Sequence, residues 1–118
     1  MKENIKIIIG RQQHLLETHV CKIFLFGSFA RNEETIYSDV NLALVSIGNR
    51  QVPRGASHDF KDAVEDELQK YNRTVGWFTT NEYKLETSTE IFNTNTRIKE
   101  EGVLLWNRTV TSQLQSKT

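Results

Sequence analysis

The chain has 118 residues, with 15 basic and 15 acidic side chains and a single cysteine, Cys21. This length suits one compact domain, and the balanced charge excludes the global positive field that attracts nucleic acid or anionic membranes. No apolar stretch approaches the ~20 residues of a membrane span, and no cysteine pattern indicates a disulfide or a zinc site. We therefore expect a cytoplasmic protein that binds neither nucleic acid nor a membrane directly.

The first part of the chain has the pattern of a helix followed by a buried strand. Apolar side chains at helical spacing predict a helix from Glu3 to Thr18, with charged and amide residues between them. The apolar run 22–26 predicts a strand buried on both faces. Gly27 ends this strand, and the residues from Ser28 to Arg31 are predicted to form the first turn of a short helix, capped by Ser28.

A second strand is predicted from Asp39 to Ser46, and its alternation places Asp39 and Asn41 on one face. Oxygen ligands two residues apart on a strand lie about 6–7 Å apart at Cα, so both can reach a common metal centre. The preceding Gly27-Ser28 turn offers backbone N–H groups and a hydroxyl to an anion. Together these features indicate a site for phosphate and a divalent metal.

The rest of the chain is predicted to alternate helices and strands. Glycines and the only proline mark 47–58 as a loop, and a helix is expected from near Ser57. A third strand is predicted at 74–79. The segment 87–90 has the spacing of a capping box and predicts a helix, which is followed by a short strand at 103–106.

These elements predict a single α/β (α+β) domain over residues 1–106, in which a mixed β-sheet packs against helices. The last residues, 107–118, are polar and lack periodicity, so we expect a loosely ordered C-terminal tail.

Two segments of the sequence resemble a known family. Residues 24–32 read FLFGSFARN and residues 37–44 read YSDVNLAL. They are similar to the minimal nucleotidyltransferase (MNT) domain of the DNA polymerase β superfamily, whose motif is written GSx10DxD. The spacing holds here, Arg31 matches the common GSxxR form, and Ser38 precedes the first Asp as is usual. The resemblance implies a nucleotidyltransferase fold for the whole domain.

In this family the Gly-Ser pair holds a nucleoside triphosphate, and two Asp residues bind two Mg²⁺ ions. The nucleotide-binding residues that the resemblance implies are Gly27, Ser28, Arg31 and Ser38. The implied catalytic and metal-binding residues are Asp39 and Asn41, with ATP as the nucleotide and weakly held Mg²⁺ as the cofactor.

The sequence departs from the family motif at two places. Asn41 stands where the second Asp is expected, and the segment 74–78, where the third carboxylate of the family is expected, contains no acid. An amide offers Mg²⁺ one carbonyl oxygen but no charge, and it cannot bridge two ions as a carboxylate does. Asn41 is therefore a weak metal ligand, a relic of an abandoned site or a deliberate substitution. Glu82, just after the third strand, is the nearest replacement acid.

The resemblance implies transfer of a nucleoside monophosphate, most simply AMP from Mg-ATP, to a hydroxyl of a partner protein. Small stand-alone domains of this family often serve as antitoxins for a HEPN-type RNase toxin, so such a toxin is the expected partner, with a homo-oligomer as a further possibility. The alternative is a catalytically degenerate module that binds nucleotide or its partner and acts by contact. A small-molecule transferase of the aminoglycoside type is disfavoured because the chain has no room for a second helical domain.

Other residues have both structural and functional interpretations. Arg50 and Arg54 flank the Gly/Pro loop and are interpreted as surface charge rather than phosphate ligands. The acidic residues 59–67 are expected to form a solvated helix face. Trp77 and Trp106 are expected in the core or at a subunit interface rather than as a base-stacking platform.

Overall fold

The computed structural model describes residues 1–16 and 18–108. The helices are α1 (Lys2–Gln12), α2 (Arg54–Leu68), α3 (Glu82–Thr87) and α4 (Thr94–Glu101). The strands are β1 (Lys22–Phe26), β2 (Val40–Ser46), β3 (Val75–Asn81) and β4 (Val103–Asn107). Single 3-10 turns extend α1 and α2, at Gln13–Leu15 and Gln69–Tyr71. None of the described helices is long and apolar enough to cross a membrane.

The four strands form one mixed sheet in the order β3-β2-β1-β4. Strand β1 is antiparallel to both of its neighbours, and β2 is parallel to β3. Parallel neighbours need a crossover connection, which α2 supplies here. The predicted α+β fold, with a mixed sheet packed against helices, is confirmed.

The sheet is covered on both faces. On one face, Val40, Leu42 and Leu44 of β2 belong to the main core cluster, which includes buried residues of α1 and α2. On the other face, Ala43 and Val45 pack with Leu85 of α3 and Ile98 of α4. This alternation along β2 is the predicted one. It leaves Asn41 on the α4 side of the sheet, at the end where β1 finishes.

Several predicted boundaries differ from those of the structure. Helix α1 ends at Gln12, before a 3-10 turn, and α2 begins at Arg54 directly after Pro53. Proline fixes its own φ near the helical value and has no N–H to lose, so it suits a helix start. Strand β2 begins one residue after Asp39. The segment from Ser28 forms a hydrogen-bonded turn that does not continue into a helix.

The predicted capping box is wrong. Asn81 ends β3 and caps α3 by accepting a 2.8 Å hydrogen bond from the Lys84 N–H, and this short helix was not predicted. Helix α4 begins only at Thr94, with Asn93 as its cap. The side chains of Asn81 and Asn93 accept hydrogen bonds from free N–H groups in the first turns of α3 and α4. The segment 87–90, which was expected to cap a helix, caps neither of them.

The last strand extends one residue beyond the predicted strand at 103–106. Strand β4 includes Asn107, and the Arg108 N–H donates to the Cys21 carbonyl at 2.9 Å. Residues 109–118 lie outside the described part of the chain, so the polar tail remains a prediction.

Candidate nucleotide site

The turn after β1 has the geometry of an anion-binding loop. Gly27 adopts a φ of +81°, which other residues rarely adopt. The N–H groups of Ala30 and Arg31 both donate to the Gly27 carbonyl, at 3.0 and 3.2 Å. These bonds wind one helical turn whose first N–H groups, on Ser28 and Phe29, are not used by the turn itself. Consecutive N–H groups of this kind bind phosphate in many proteins.

A carboxylate of α4 contacts the same turn. Glu101 Oε1 accepts a hydrogen bond from the Gly27 N–H at 3.3 Å, and both Glu101 oxygens accept from Arg31 Nη1, at 3.1 and 3.2 Å. Arg31 also pairs with Glu33 at 2.7 Å, and these two carboxylates raise the pKa of the Arg31 guanidinium. Arg31 therefore ties the turn to α4, and its contact with a nucleotide stays a prediction.

Asp39 lies at the entry to β2 and is exposed. Its carboxylate accepts a hydrogen bond from the Thr74 hydroxyl, which precedes β3. Ser38 is fixed by its own loop, because its hydroxyl oxygen accepts the Thr35 N–H at 2.9 Å. The Ser38 carbonyl accepts a 3.0 Å hydrogen bond from Arg73. Asp39 is thus held by Thr74, just before β3, and by the ordered loop that precedes β2. The role of Ser38 in binding a nucleotide stays a prediction.

Asn41 fills the space between Gly27, which follows β1, and Gly76 on β3. It lies opposite Phe26 at the end of β1 and opposite Gly76 on β3. A Cβ added to Gly76 would stand 2.6 Å from Asn41 Oδ1, and one added to Gly27 would stand 2.6 Å from Asn41 Nδ2. The amide therefore occupies the gap between the nucleotide-site turn and β3.

Strands β2 and β3 supply no carboxylate beside Asp39 and Asn41. Gly76, which pairs directly with Asn41, is the β3 residue placed to contribute one, and it has no side chain. Among the described residues no group of three or more His, Cys, Asp or Glu side chains is placed to hold a metal ion. A donor set of one carboxylate and one amide does not fit the two-ion centre that the family resemblance implies.

The replacement acid suggested by the sequence lies elsewhere. Glu82 is six positions beyond Gly76 along β3, roughly 20 Å away at 3.3 Å per residue. Its carboxylate accepts the Gly48 N–H at 2.9 Å. The suggestion that Glu82 replaces the third carboxylate is therefore wrong.

Glu65 lies near Asp39, although its sequence pattern predicts a place on the solvated face of a helix. Glu65 of α2 accepts the Val75 N–H at 2.9 Å and pairs with Lys61 at 3.2 Å. The hydrogen bond from Val75 lowers the pKa of Glu65, against an opposing effect of the Asp39 charge. Glu65 is thus committed to capping the start of β3. Its position follows from the packing of α2 on the sheet, which no local pattern shows.

The fold of this chain is matched in known proteins. Residues 5–104 match the family model described as a nucleotidyltransferase domain. The chain belongs to the nucleotidyltransferase domain family. No curated protein matches it at a significant level.

Solved structures share the fold of this nucleotidyltransferase domain at low identity. A toxin–antitoxin structure with AMP-PNP superposes with a TM-score of 0.55 and 19% identity, over 97% of this chain and 80% of that one. A complex of the tri-AMPylated Shewanella oneidensis HEPN toxin with its MNT antitoxin gives 0.57 and 14%, over 97% and 79%. A putative nucleotidyltransferase from Sulfolobus solfataricus gives 0.52 and 17%, over 88% and 78%.

Proposed function

We propose that this nucleotidyltransferase domain is an antitoxin-like module that retains nucleotide binding at the Gly27-Ser28 turn and acts on a partner protein by contact. In this proposal, transfer of AMP is lost. The observation that carries it is the position of the Asn41 amide over Gly76, where neither strand supplies a carboxylate.

The loss of charge argues against efficient catalysis. Phosphoryl and nucleotidyl transfer depend on metal ions that neutralise charge developing on the phosphate oxygens. Asp39 is the only carboxylate left of the three that the family uses, and it is engaged with Thr74. Asp39 would be the one residue of this set to hold a Mg²⁺ ion carried by the phosphates of ATP, and a single carboxylate would supply only weak binding.

The phosphate-binding turn supports retained nucleotide binding. Gly27 keeps its left-handed conformation, and the N–H groups of Ser28 and Phe29 remain available to an anion. A structural neighbour with the same fold was solved with AMP-PNP. ATP is accordingly the nucleotide we propose, with the Ser28 hydroxyl as a further donor.

The partner we propose is a HEPN-type toxin. Two of the structural neighbours are toxin–antitoxin structures, one of them an MNT antitoxin with its HEPN toxin. The second candidate function is AMP transfer to a hydroxyl of that toxin. The tri-AMPylated toxin in the neighbouring structure and the retained Asp39 favour it.

Co-expression with a HEPN-type toxin separates the two functions. The toxin is expressed alone, with the wild-type chain and with Asp39→Ala, and growth and toxin mass are recorded. Contact-only action predicts that both forms protect the cells and that the toxin mass is unchanged. Protection that is lost in Asp39→Ala, together with AMP on the toxin, would establish the transferase instead.

A further inference from the structure

A groove runs along the β3 edge of the sheet, between β3, the loop 47–53 and the start of α2. We call it the edge groove. Its lining includes the side chains of Arg50, Arg54, His58, Trp77, Thr79 and Lys84. It lies away from the nucleotide site, because Trp77 and Thr79 face the α2 side of the sheet, whereas Asn41 and Gly76 face the α4 side.

The backbone of β3 is unpaired along this groove. Val40 donates to the Thr74 carbonyl, so in the parallel β2–β3 ladder the even-numbered residues of β3 bond to β2. The N–H and C=O groups of Trp77 and Thr79 therefore point outward. Within the described residues they have no hydrogen-bond partner. An exposed pair of this kind is a template for another strand.

One end of the edge is closed. The outward N–H of Val75 is taken by Glu65, which leaves the open part of the strand at Trp77 and Thr79. The Trp77 ring is held by His58 at 5.2 Å, edge to face, and by Lys61, whose ammonium lies 5.2 Å from the ring centroid. The tryptophan is thus a fixed wall of the groove.

The charge of the edge groove has one sign. Arg50, Arg54 and Lys84 line it without a salt bridge to any carboxylate in the described part of the chain. No Asp or Glu belongs to its lining. The whole chain has equal numbers of acidic and basic residues, so this local excess of positive charge is a property of the groove.

We propose that the edge groove binds an extended acidic segment of a partner protein, which adds to the sheet as a fifth strand beside β3. Backbone hydrogen bonds to Trp77 and Thr79 supply affinity, and alternate acidic side chains of the segment meet Arg50 and Arg54. Pairing of β3 with a second copy of this chain is disfavoured, because it would bring two positively charged grooves together.

The test uses a fluorescein-labelled peptide of alternating glutamate and valine and the intact chain, followed by fluorescence anisotropy. The matched peptide of alternating lysine and valine and a single-stranded RNA are the comparison ligands. We expect the acidic peptide to bind and the other two ligands not to. Preferential binding of RNA would overturn the proposal in favour of a nucleic-acid site, and preference for the basic peptide would overturn it outright.

Substitutions locate the binding. Arg50→Glu and Arg54→Glu are each expected to weaken binding of the acidic peptide about tenfold, equivalent to 1.4 kcal/mol. Arg97→Glu, at an exposed position of α4, is the control and is expected to leave binding unchanged. Equal weakening of binding by all three variants would show that only the net charge of the chain matters and would contradict binding in the edge groove.

The backbone contribution is tested separately. Thr79→Pro removes an outward N–H without breaking the β2–β3 ladder, so it is expected to abolish binding while the domain stays folded. A peptide with N-methylated amides serves the same purpose with the wild-type chain and does not depend on how the variant folds. Undiminished binding of the N-methylated peptide would overturn strand addition. A concentration-dependent dimer that Thr79→Pro removes would assign the edge to a second copy of this chain.

Discussion

A Cβ added to Gly76 would lie only 2.6 Å from Asn41 Oδ1, so the Asn41 amide occupies the space that a side chain at position 76 would need. The two positions form one spatial unit across the parallel strands β2 and β3. A carboxylate at position 76 would need Asn41 to move, so the side chains at positions 41 and 76 are coupled in space.

Gly76→Ala is expected to destabilise the domain by about 1–3 kcal/mol, because the added methyl overlaps the Asn41 amide. In an Asn41→Ala background the same change should cost much less, since the overlapping atoms are gone. Urea denaturation of the four proteins measures this coupling as a double-mutant cycle. Additive effects would show that Asn41 does not occupy the space beside Gly76.

Glu101→Ala is expected to lower the thermal stability and loosen the Gly27 turn, because Glu101 joins the Gly27 N–H to Arg31. Glu33→Ala is the matched control, since Glu33 pairs with Arg31 without touching Gly27. Amide hydrogen exchange at Gly27 should quicken in the first variant and not in the second. Equal exchange in both variants would mean that Glu101 does not hold the turn.

The stability difference between the Glu65→Gln variant and wild type is expected to depend on pH. The Val75 N–H lowers the pKa of Glu65, so its ionised form stabilises the fold above the unfolded-state pKa, and this contribution is lost as pH falls through the folded-state pKa. The variant should be about 1 kcal/mol less stable than wild type near neutral pH and nearly equal to it at about pH 3. Asp62→Asn, exposed on the same helix, is the control. A stability difference that persists unchanged in acid would contradict the assignment.

The sequence predicted the parts of the site that local patterns encode. The alternation of β2 and the abrupt end of β1 at Gly27 are visible within a few residues, and both are confirmed. The starts of α3 and α4 were missed because single Asn side chains cap them, at Asn81 and Asn93, while a competing capping pattern at 87–90 forms no helix.

Contacts between distant segments were beyond the sequence. Glu101 meets Gly27 across 74 positions, and Glu65 reaches Val75 only because α2 crosses from β2 to β3. The absence of an acid in the segment 74–78 was readable from the sequence, but the position of Gly76 directly beside Asn41 depends on the β2–β3 register.

The most direct test of the proposed function is intact-mass analysis of the toxin partner after incubation with the purified chain, ATP and Mg²⁺. The account predicts no AMP adduct with the wild-type chain and at most a trace with Asn41→Asp, because position 76 still lacks a carboxylate. An AMP adduct formed by the wild-type chain and absent with Asp39→Ala would contradict it and establish an active transferase.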